Sequence, residues 1–181
     1  MYIHEFSKRG ARYPAYNPIV AGGENACVLH YVENNQQLNN DDLLLVDAGC
    51  EYEMYAADIT RTFPVSGKFS DEQLAIYKVV LDAMNAAIDM VKPGNHIMQP
   101  QEISEKVITE GLVKLGLLDG DPEELHKSGA YKEFYMHKIG HWLGLDVHDA
   151  GDYVEGEEYM KFKPGMITTC LLYTSDAADD L

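Results

Sequence analysis

The sequence has few cysteines and lacks any long apolar run. Its three cysteines, Cys27, Cys50 and Cys170, show no CxxC spacing, which argues against a disulfide framework. No stretch approaches the roughly 18 apolar residues of a membrane helix, and the first residues lack the charged and apolar regions of a secretory signal. These absences predict a soluble protein of a reducing compartment, with the cytoplasm as the expected location and no membrane partner.

Basic residues are also scarce, since 14 Lys and Arg stand against 30 Asp and Glu, which gives a formal net charge of −16. A surface of this charge repels phosphate backbones and argues against a nucleic-acid partner. It is typical of a soluble protein, and it would also attract metal ions or cationic peptide ends. The length of 181 residues suits one domain with its own core.

Two strands are predicted in the first half of the chain. Residues 43–49 form an apolar run that contains Asp47, and residues 55–65 are rich in Thr and Ile and end near Pro64 and Gly67. We expect the two to pair as a hairpin that turns near residues 52–53, although the sequence has no Asn-Gly turn signal there. A further strand is expected at residues 26–31, whereas the first fifteen residues are expected to be frayed, without a regular helix or strand.

Helices are predicted in the middle of the chain. Ser70 followed by Gln73 forms a capping box. Apolar residues then recur at helical spacing, in a stripe expected to pack against a sheet: Leu74, Tyr77, Leu81, Met84, Ile88 and Val91. Shorter helices are predicted at residues 101–115 and 123–126. Strands, then helices, then strands again indicate an α+β fold.

Asp47 and Asp58 are the first candidates for chemistry. If the hairpin turns at residues 52–53, the two carboxylates lie directly opposite each other on one side of the sheet. Two like charges opposed among apolar strands are destabilising unless they share a proton or hold a cation between them. Either a carboxylate dyad or a metal site is therefore consistent with the pair.

Three histidines, His137, His141 and His148, lie within twelve residues. The spacing of His137 and His141 is that of the zinc-protease motif His-Glu-x-x-His, but Lys138 stands where the Glu belongs, so that motif is excluded. Imidazoles combined with carboxylates suit Mn²⁺, Co²⁺ or Zn²⁺, and a carboxylate-rich site favours Mn²⁺. The residues together indicate a metal-dependent hydrolase.

Three segments carry a more specific resemblance: residues 47–52 (Asp-Ala-Gly-Cys-Glu-Tyr), 57–64 (Ala-Asp-Ile-Thr-Arg-Thr-Phe-Pro) and 141–149 (His-Trp-Leu-Gly-Leu-Asp-Val-His-Asp). They resemble the signature segments of Xaa-Pro aminopeptidase (aminopeptidase P), a member of the pita-bread group that also holds prolidase, methionine aminopeptidase and creatinase. The resemblance extends from about residue 6 to residue 169. It implies a pita-bread fold, with antiparallel sheets flanked by helices and incomplete at the C-terminus.

The resemblance also implies roles for individual residues. Asp47, Asp58 and His141 would bind two divalent metal ions, with Mn²⁺ expected, and Asp58 would link the two. His30, His137 and His148 would be the catalytic residues on the substrate side, which hydrogen-bond the peptide and assist proton transfer.

The activity implied is release of an N-terminal residue that precedes proline, by a hydroxide that bridges the two ions. The expected partners are therefore peptides with proline at the second position, and the parent protein is expected to be an enzyme, with a homo-oligomer as an open alternative to a monomer. Prolidase, which cleaves dipeptides, and a peptide-binding module that has lost catalysis are the alternatives.

The chain departs from the family pattern after the Pro-Gly-Met motif at residues 164–166. The family has a glutamate ligand where this chain has Leu171, and a second glutamate is expected beyond residue 181. We therefore expect residues 1–169 to be a partial catalytic domain that lacks the family's N-terminal domain and last strands. Residues 170–181 are expected to be a non-native tail, and the fragment by itself is expected to be inactive.

Overall fold

Short antiparallel strands and four helices follow one another in the computed structural model, which describes residues 2–171. The helices are α1 (Tyr2–Lys8), α2 (Asp71–Met90), α3 (Gln99–Lys114) and α4 (Pro122–Ser128). The strands are β1 (Tyr13–Pro14), β2 (Ile19–Gly22), β3 (Leu43–Asp47), β4 (Cys50–Tyr52), β5 (Tyr55–Ala56), β6 (Thr60–Pro64), β7 (Val154–Glu155) and β8 (Glu158–Tyr159). The predicted α+β class with antiparallel sheets is confirmed.

Strand β3 is the centre of the sheet that carries the first candidate residues. It lies between β2 and β6, both antiparallel to it, so its backbone is hydrogen-bonded on two sides. Strands β1, β4 and β5 form a second sheet, and β7 pairs with β8. The predicted pairing of residues 43–49 with 55–65 is confirmed, although the chain between β3 and β6 also forms the smaller hairpin β4–β5.

The register of this hairpin corrects one expectation. Its turn lies at Glu53 and Met54, one residue later than predicted, and Asp47 therefore pairs with Thr60 instead of Asp58. Glu53 and Met54 adopt φ of 49° and 75°, which suits a tight two-residue turn but costs about 1 kcal/mol for each non-glycine residue. The sequence has none of the usual residues for such a turn, which is why the register could not be predicted.

The shift preserves the side of the sheet on which the carboxylates lie. A displacement by two residues leaves each side chain on its original face, so Asp47 and Asp58 are diagonal instead of direct neighbours. Gly49 makes the close crossing possible, because a Cβ built there would lie 1.6 Å from the carbonyl oxygen of Ala57.

Helix α2 begins as predicted, with the complete capping box of Ser70 and Gln73. The prediction that its apolar stripe packs against a sheet is wrong for the described residues 2–171. The helix packs against α3, and its buried face is centred on Ala83 and Ala87, whereas Leu81 and Ile88 of the predicted stripe are exposed. The core between the helices comprises Ala83, Ala87, Ile108, Leu112, Tyr131, Tyr135 and Ile139. The predicted helices at residues 101–115 and 123–126 are confirmed as α3 and α4.

Two further expectations are wrong. The first residues form α1, because Glu5 and Arg9 pair one turn apart and Ala11 N–H closes the helix on the carbonyl of Phe6. Residues 26–31 are not a strand: residues 26 and 27 end a short 3₁₀ helix (Gly23–Cys27), and residues 28–30 are turns. Val28 and Tyr31 each donate a backbone hydrogen bond to the residue three positions earlier. No helix within residues 2–171 is long and apolar enough to cross a membrane.

Candidate active site

A cavity of about 450 Å³ opens where β3, the chain before β2 and the histidine-rich segment meet. Its walls combine acidic, imidazole and apolar groups: Ala15, Tyr16, Asn17, Ile19, His30, Val32, Asp47, Asp58, Asp146, Val147 and His148. Four of the six residues singled out from the sequence therefore line one cavity, and a fifth, His141, contacts Asp58.

Asp47 and Asp58 are joined by a residue that the sequence did not suggest. The Tyr16 hydroxyl lies between them, within hydrogen-bond distance of Oδ1 of Asp47 and 3.0 Å from Oδ1 of Asp58. Burial raises the pKa of Tyr16 well above its usual range, and the charges of Asp47 and Asp58 raise it further, so the hydroxyl stays protonated. It lies 31 and 42 residues from its partners, and no local pattern around it marks that contact.

His141 lies on the other side of Asp58, and its environment fixes its tautomer. Its Nδ1 is 2.9 Å from the carbonyl oxygen of Trp142, so Nδ1 carries a proton and donates it. Its Nε2 faces Oδ2 of Asp58 at 3.1 Å, and both side chains are about 95% buried. In the neutral imidazole that nitrogen is a lone pair facing a carboxylate, so the contact requires a proton or a cation.

His148 and His30 reach the same cavity from two loops. The His148 ring meets the His141 ring edge to face, with 4.3 Å between the ring centres. Its loop is closed by the carbonyl of Trp142, which also accepts the backbone N–H of Asp149 at 3.0 Å. His30 lies on the turn after the 3₁₀ helix with a φ of 51°, which is rare for a residue other than glycine.

His137 is buried and held by a different set of contacts. Its Nδ1 is 3.0 Å from the carbonyl oxygen of Lys138, and its ring meets Tyr135 edge to face at 4.6 Å. It is not among the residues that line the 450 Å³ cavity within residues 2–171. The predicted grouping is therefore seen directly for five residues, and the substrate contact of His137 stays a prediction.

Leu171 lies beside the histidine segment. Backbone bonds from Thr169 N–H to the His141 carbonyl and from Leu171 N–H to the Ile139 carbonyl pair the two segments antiparallel. Cys170, between them, packs on the helical core, and burial raises the pKa of its thiol to about 11. Because side chains alternate along an extended chain, Leu171 lies on the opposite face from Cys170.

The donors fit a divalent ion by type, since carboxylates and imidazole are ligands of Mn²⁺, Co²⁺ and Zn²⁺. The buried contact of His141 Nε2 with Asp58, which lacks a proton in the neutral tautomer, also fits a cation. Within residues 2–171, however, no three His, Cys, Asp or Glu side chains are grouped as a complete set of metal ligands. Leu171 supplies no donor at the position where the resemblance implies a glutamate ligand.

Comparison with known proteins agrees with this donor set. The family description of metallopeptidase family M24 matches residues 1–176. The chain belongs to metallopeptidase family M24. The description of this family is that of metallopeptidases, which agrees with the enzyme class and the metal predicted from the sequence.

The relatives of this M24 chain include Xaa-Pro aminopeptidases. It is 52% identical over 179 residues to the one from Haemophilus influenzae and 49% identical over 166 residues to the one from Escherichia coli. These matches cover 98% and 92% of the chain but only 41% and 37% of the relatives. The chain thus spans about two fifths of the length of the curated relatives it matches.

Solved structures give the same result for the fold. The aminopeptidase PepP of Pseudomonas aeruginosa superimposes with a TM-score of 0.91 at 56% identity, over 92% of this chain and 38% of that one. An Escherichia coli aminopeptidase P in complex with substrate gives 0.89 at 48% identity, over 93% and 38%. The predicted pita-bread fold is therefore confirmed for this part of the family's structure.

Proposed function

We propose that this chain forms part of the active site of a metal-dependent Xaa-Pro aminopeptidase, which releases the N-terminal residue preceding proline. The observation that carries the proposal is the buried pair Asp47 and Asp58, bridged by Tyr16 and continued by His141 at the wall of a 450 Å³ cavity. Such a cluster of carboxylates and imidazole suits metal-assisted hydrolysis. The relatives' activity supports the same reaction.

Asp47, Asp58 and His141 would hold the metal, which we propose to be Mn²⁺ because carboxylates predominate among the donors. When bound, the ions would supply Lewis acidity towards the peptide carbonyl and would lower the pKa of water. Tyr16 donates a hydrogen bond from its hydroxyl to the carboxylates and keeps them at a fixed separation. The Trp142 carbonyl keeps the proton of His141 on Nδ1, so Nε2 faces the donor cluster.

The remaining residues of the cavity suit a peptide that carries proline. Ile19, Val32 and Val147 offer apolar walls for the pyrrolidine ring. His148 and His30, on the same walls, would hydrogen-bond the peptide and pass protons during cleavage. The negative net charge of the chain attracts the cationic N-terminus of a peptide substrate.

The test uses a protein of the relatives' full length that contains residues 1–169 of this chain. We expect cleavage of Gly-Pro-Leu with added Mn²⁺, no cleavage of Gly-Ala-Leu, and loss of activity with a chelator. Asp47→Asn should abolish turnover, whereas Asp82→Asn, an exposed substitution on α2, should leave it unchanged. Cleavage in excess chelator equal to that with Mn²⁺ would overturn the metal mechanism. Cleavage of the dipeptide Gly-Pro without cleavage of Gly-Pro-Leu would identify a prolidase.

A further inference from the structure

The segment that carries His137 has neither a helix nor a strand of its own. Residues 135–140 run without regular structure from the 3₁₀ turn (Ala130–Glu133) to His141. Buried backbone N–H and C=O groups still need partners, because an unpaired one destabilises the fold. One of these groups is the carbonyl of Ile139, which accepts the backbone N–H of Leu171 at 2.6 Å.

Gln101 of α3 meets two others from the opposite side. Its Oε1 accepts the backbone N–H of Ile139 at 2.6 Å, and its Nε2 lies 3.5 Å from the carbonyl oxygen of His137. One side-chain amide thus grips the backbone on both sides of Lys138. This side chain is 36 residues away in sequence from His137, and it plays no part in the mechanism above.

Glu105, one helical turn further along α3, fixes the direction of this amide. Its Oε1 accepts from Gln101 Nε2 at 2.9 Å. An ionised carboxylate can only accept, so the NH₂ group must face Glu105 and the amide oxygen must face Ile139 N–H. Glu105 is held in turn by His126, whose Nε2 lies 3.3 Å from its Oε2 and whose ring stacks on Tyr131.

The conformation held in this way also sets the state of the His137 ring. Nδ1 of His137 points at the carbonyl oxygen of the next residue, Lys138, at 3.0 Å. The carbonyl of Lys138 lies between the two backbone groups that Gln101 contacts. Its position therefore depends on the conformation that Gln101 holds. With the proton on Nδ1, Nε2 is the acceptor nitrogen of the neutral ring.

We propose that Gln101, oriented by Glu105, is a positioning residue that holds residues 137–139 so that His137 keeps its proton on Nδ1. The consequence for catalysis rests on the proposed function, because it assigns His137 Nε2 to the substrate. The positioning itself concerns only this chain and can be measured without metal or substrate.

The first measurement is NMR of the 181-residue chain with Gln101→Leu, which keeps the size of the side chain and removes both hydrogen bonds to residues 137–139, together with the one to Glu105. We expect hydrogen exchange of the Ile139 amide to be about tenfold faster or more, because the substitution leaves a buried N–H without its acceptor. The ¹⁵N shifts of the His137 ring should move from the Nδ1–H tautomer towards a mixture. Glu102→Leu, exposed on the same helix, is the matched control and should change neither signal.

The second measurement exchanges donor and acceptor. Gln101→Glu alone places two carboxylates together and should perturb His137 as Gln101→Leu does. Adding Glu105→Gln restores a complementary pair, so the double variant should recover the wild-type tautomer and most of the Ile139 protection. A tautomer unchanged by Gln101→Leu and by Gln101→Glu would overturn the positioning role. A double variant no better than Gln101→Glu, with an equal unfolding midpoint, would overturn the part played by Glu105.

These outcomes are separable from the proposed function. If the full-length protein failed to cleave Xaa-Pro peptides, the ring shifts and exchange rates would still decide how His137 is held. If the peptidase assay succeeded and the ring shifts did not respond, only the role of Gln101 would fall. In an active enzyme, Gln101→Leu should lower kcat more than it changes KM, because it disturbs proton transfer more than binding.

Discussion

The two sides of the cavity are held in place by different means. Asp47 ends β3, whose backbone is bonded to a strand on each side. His141 and His148 lie in a stretch, which also carries His137, with neither helix nor regular strand between residues 134 and 152, held by side chains and single backbone contacts. Strand pairing thus places Asp47, whereas individual hydrogen bonds place the imidazoles, so single substitutions should affect the two sides differently.

The largest effect is expected on the carboxylate side, from Asp58→Ala. Asp58 contacts both Tyr16 and His141, so its loss removes one of the three proposed metal ligands. It also removes the carboxylate that connects Tyr16 with His141. We expect one weak Mn²⁺ site per chain in the wild type, because this chain offers three donors. The affinity should fall by about 100-fold or more in the variant, since removing one partner of a buried charged pair costs about 3–5 kcal/mol. Titration calorimetry with Mn²⁺ measures both values.

On the imidazole side, His148→Ala should keep the Mn²⁺ affinity within about threefold of the wild type, a difference in binding free energy of less than about 1 kcal/mol. The reason is that the proposed role of His148 is towards the substrate. Asp82→Ala, exposed on α2, is the control for handling and folding. If His148→Ala emptied the site while Asp58→Ala kept it, the roles assigned to the two sides would be reversed.

A smaller loss is expected when the bridge between the carboxylates is removed. Tyr16→Phe deletes the hydroxyl that lies between Asp47 and Asp58 and so removes the hydrogen-bond donor that the two carboxylates share. Hydrogen bonds to metal-binding carboxylates typically contribute about 10–100-fold to affinity, so Mn²⁺ should bind more weakly by that factor. Tyr77→Phe, whose ring packs on Phe69 away from the cavity, serves as the matched variant. Tighter binding would show that the hydroxyl competes with the ion.

A gain is expected from Leu171→Glu. Leu171 is buried and paired beside the histidine segment, at the position where the family pattern has a glutamate ligand. A fourth donor that carries a negative charge should tighten Mn²⁺ binding about tenfold, because affinity follows the charge of the ligand set. Ile167→Glu, exposed on the same segment, should give no gain. An unchanged affinity in Leu171→Glu would show that this position does not face the donor cluster.

The same comparison explains what the sequence could predict. The pairing of residues 43–49 with 55–65 and the start of α2 at Ser70 follow from local patterns, and both were confirmed. The register was not predicted, because the turn uses Glu53 and Met54 in place of glycine or asparagine.

The residues that were missed act over long distances. Tyr16 and Gln101 contact partners more than 30 residues away, so no spacing rule reveals them. The stripe of α2 was assigned to a sheet because periodicity shows which face is apolar and not what covers it. Small residues, Ala83 and Ala87, form the contact with α3, and Leu81 and Ile88 of the predicted stripe are therefore exposed.

The smallest effect tests whether the helical region is independent of the cavity. Ser70→Ala removes the side chain that accepts the N–H of Gln73 and so breaks the capping box of α2. A lost N-cap of this kind costs about 1 kcal/mol, and a urea titration should show the free energy of unfolding lowered by that amount. The Mn²⁺ affinity should stay unchanged, because α2 supplies none of the donors. Ser128→Ala, at the end of α4, removes a hydroxyl that bonds only the preceding turn and should cost less. A drop in Mn²⁺ affinity with Ser70→Ala would mean that the packing of α2 on α3 also sets the donor positions, and the division between the regions would then fail.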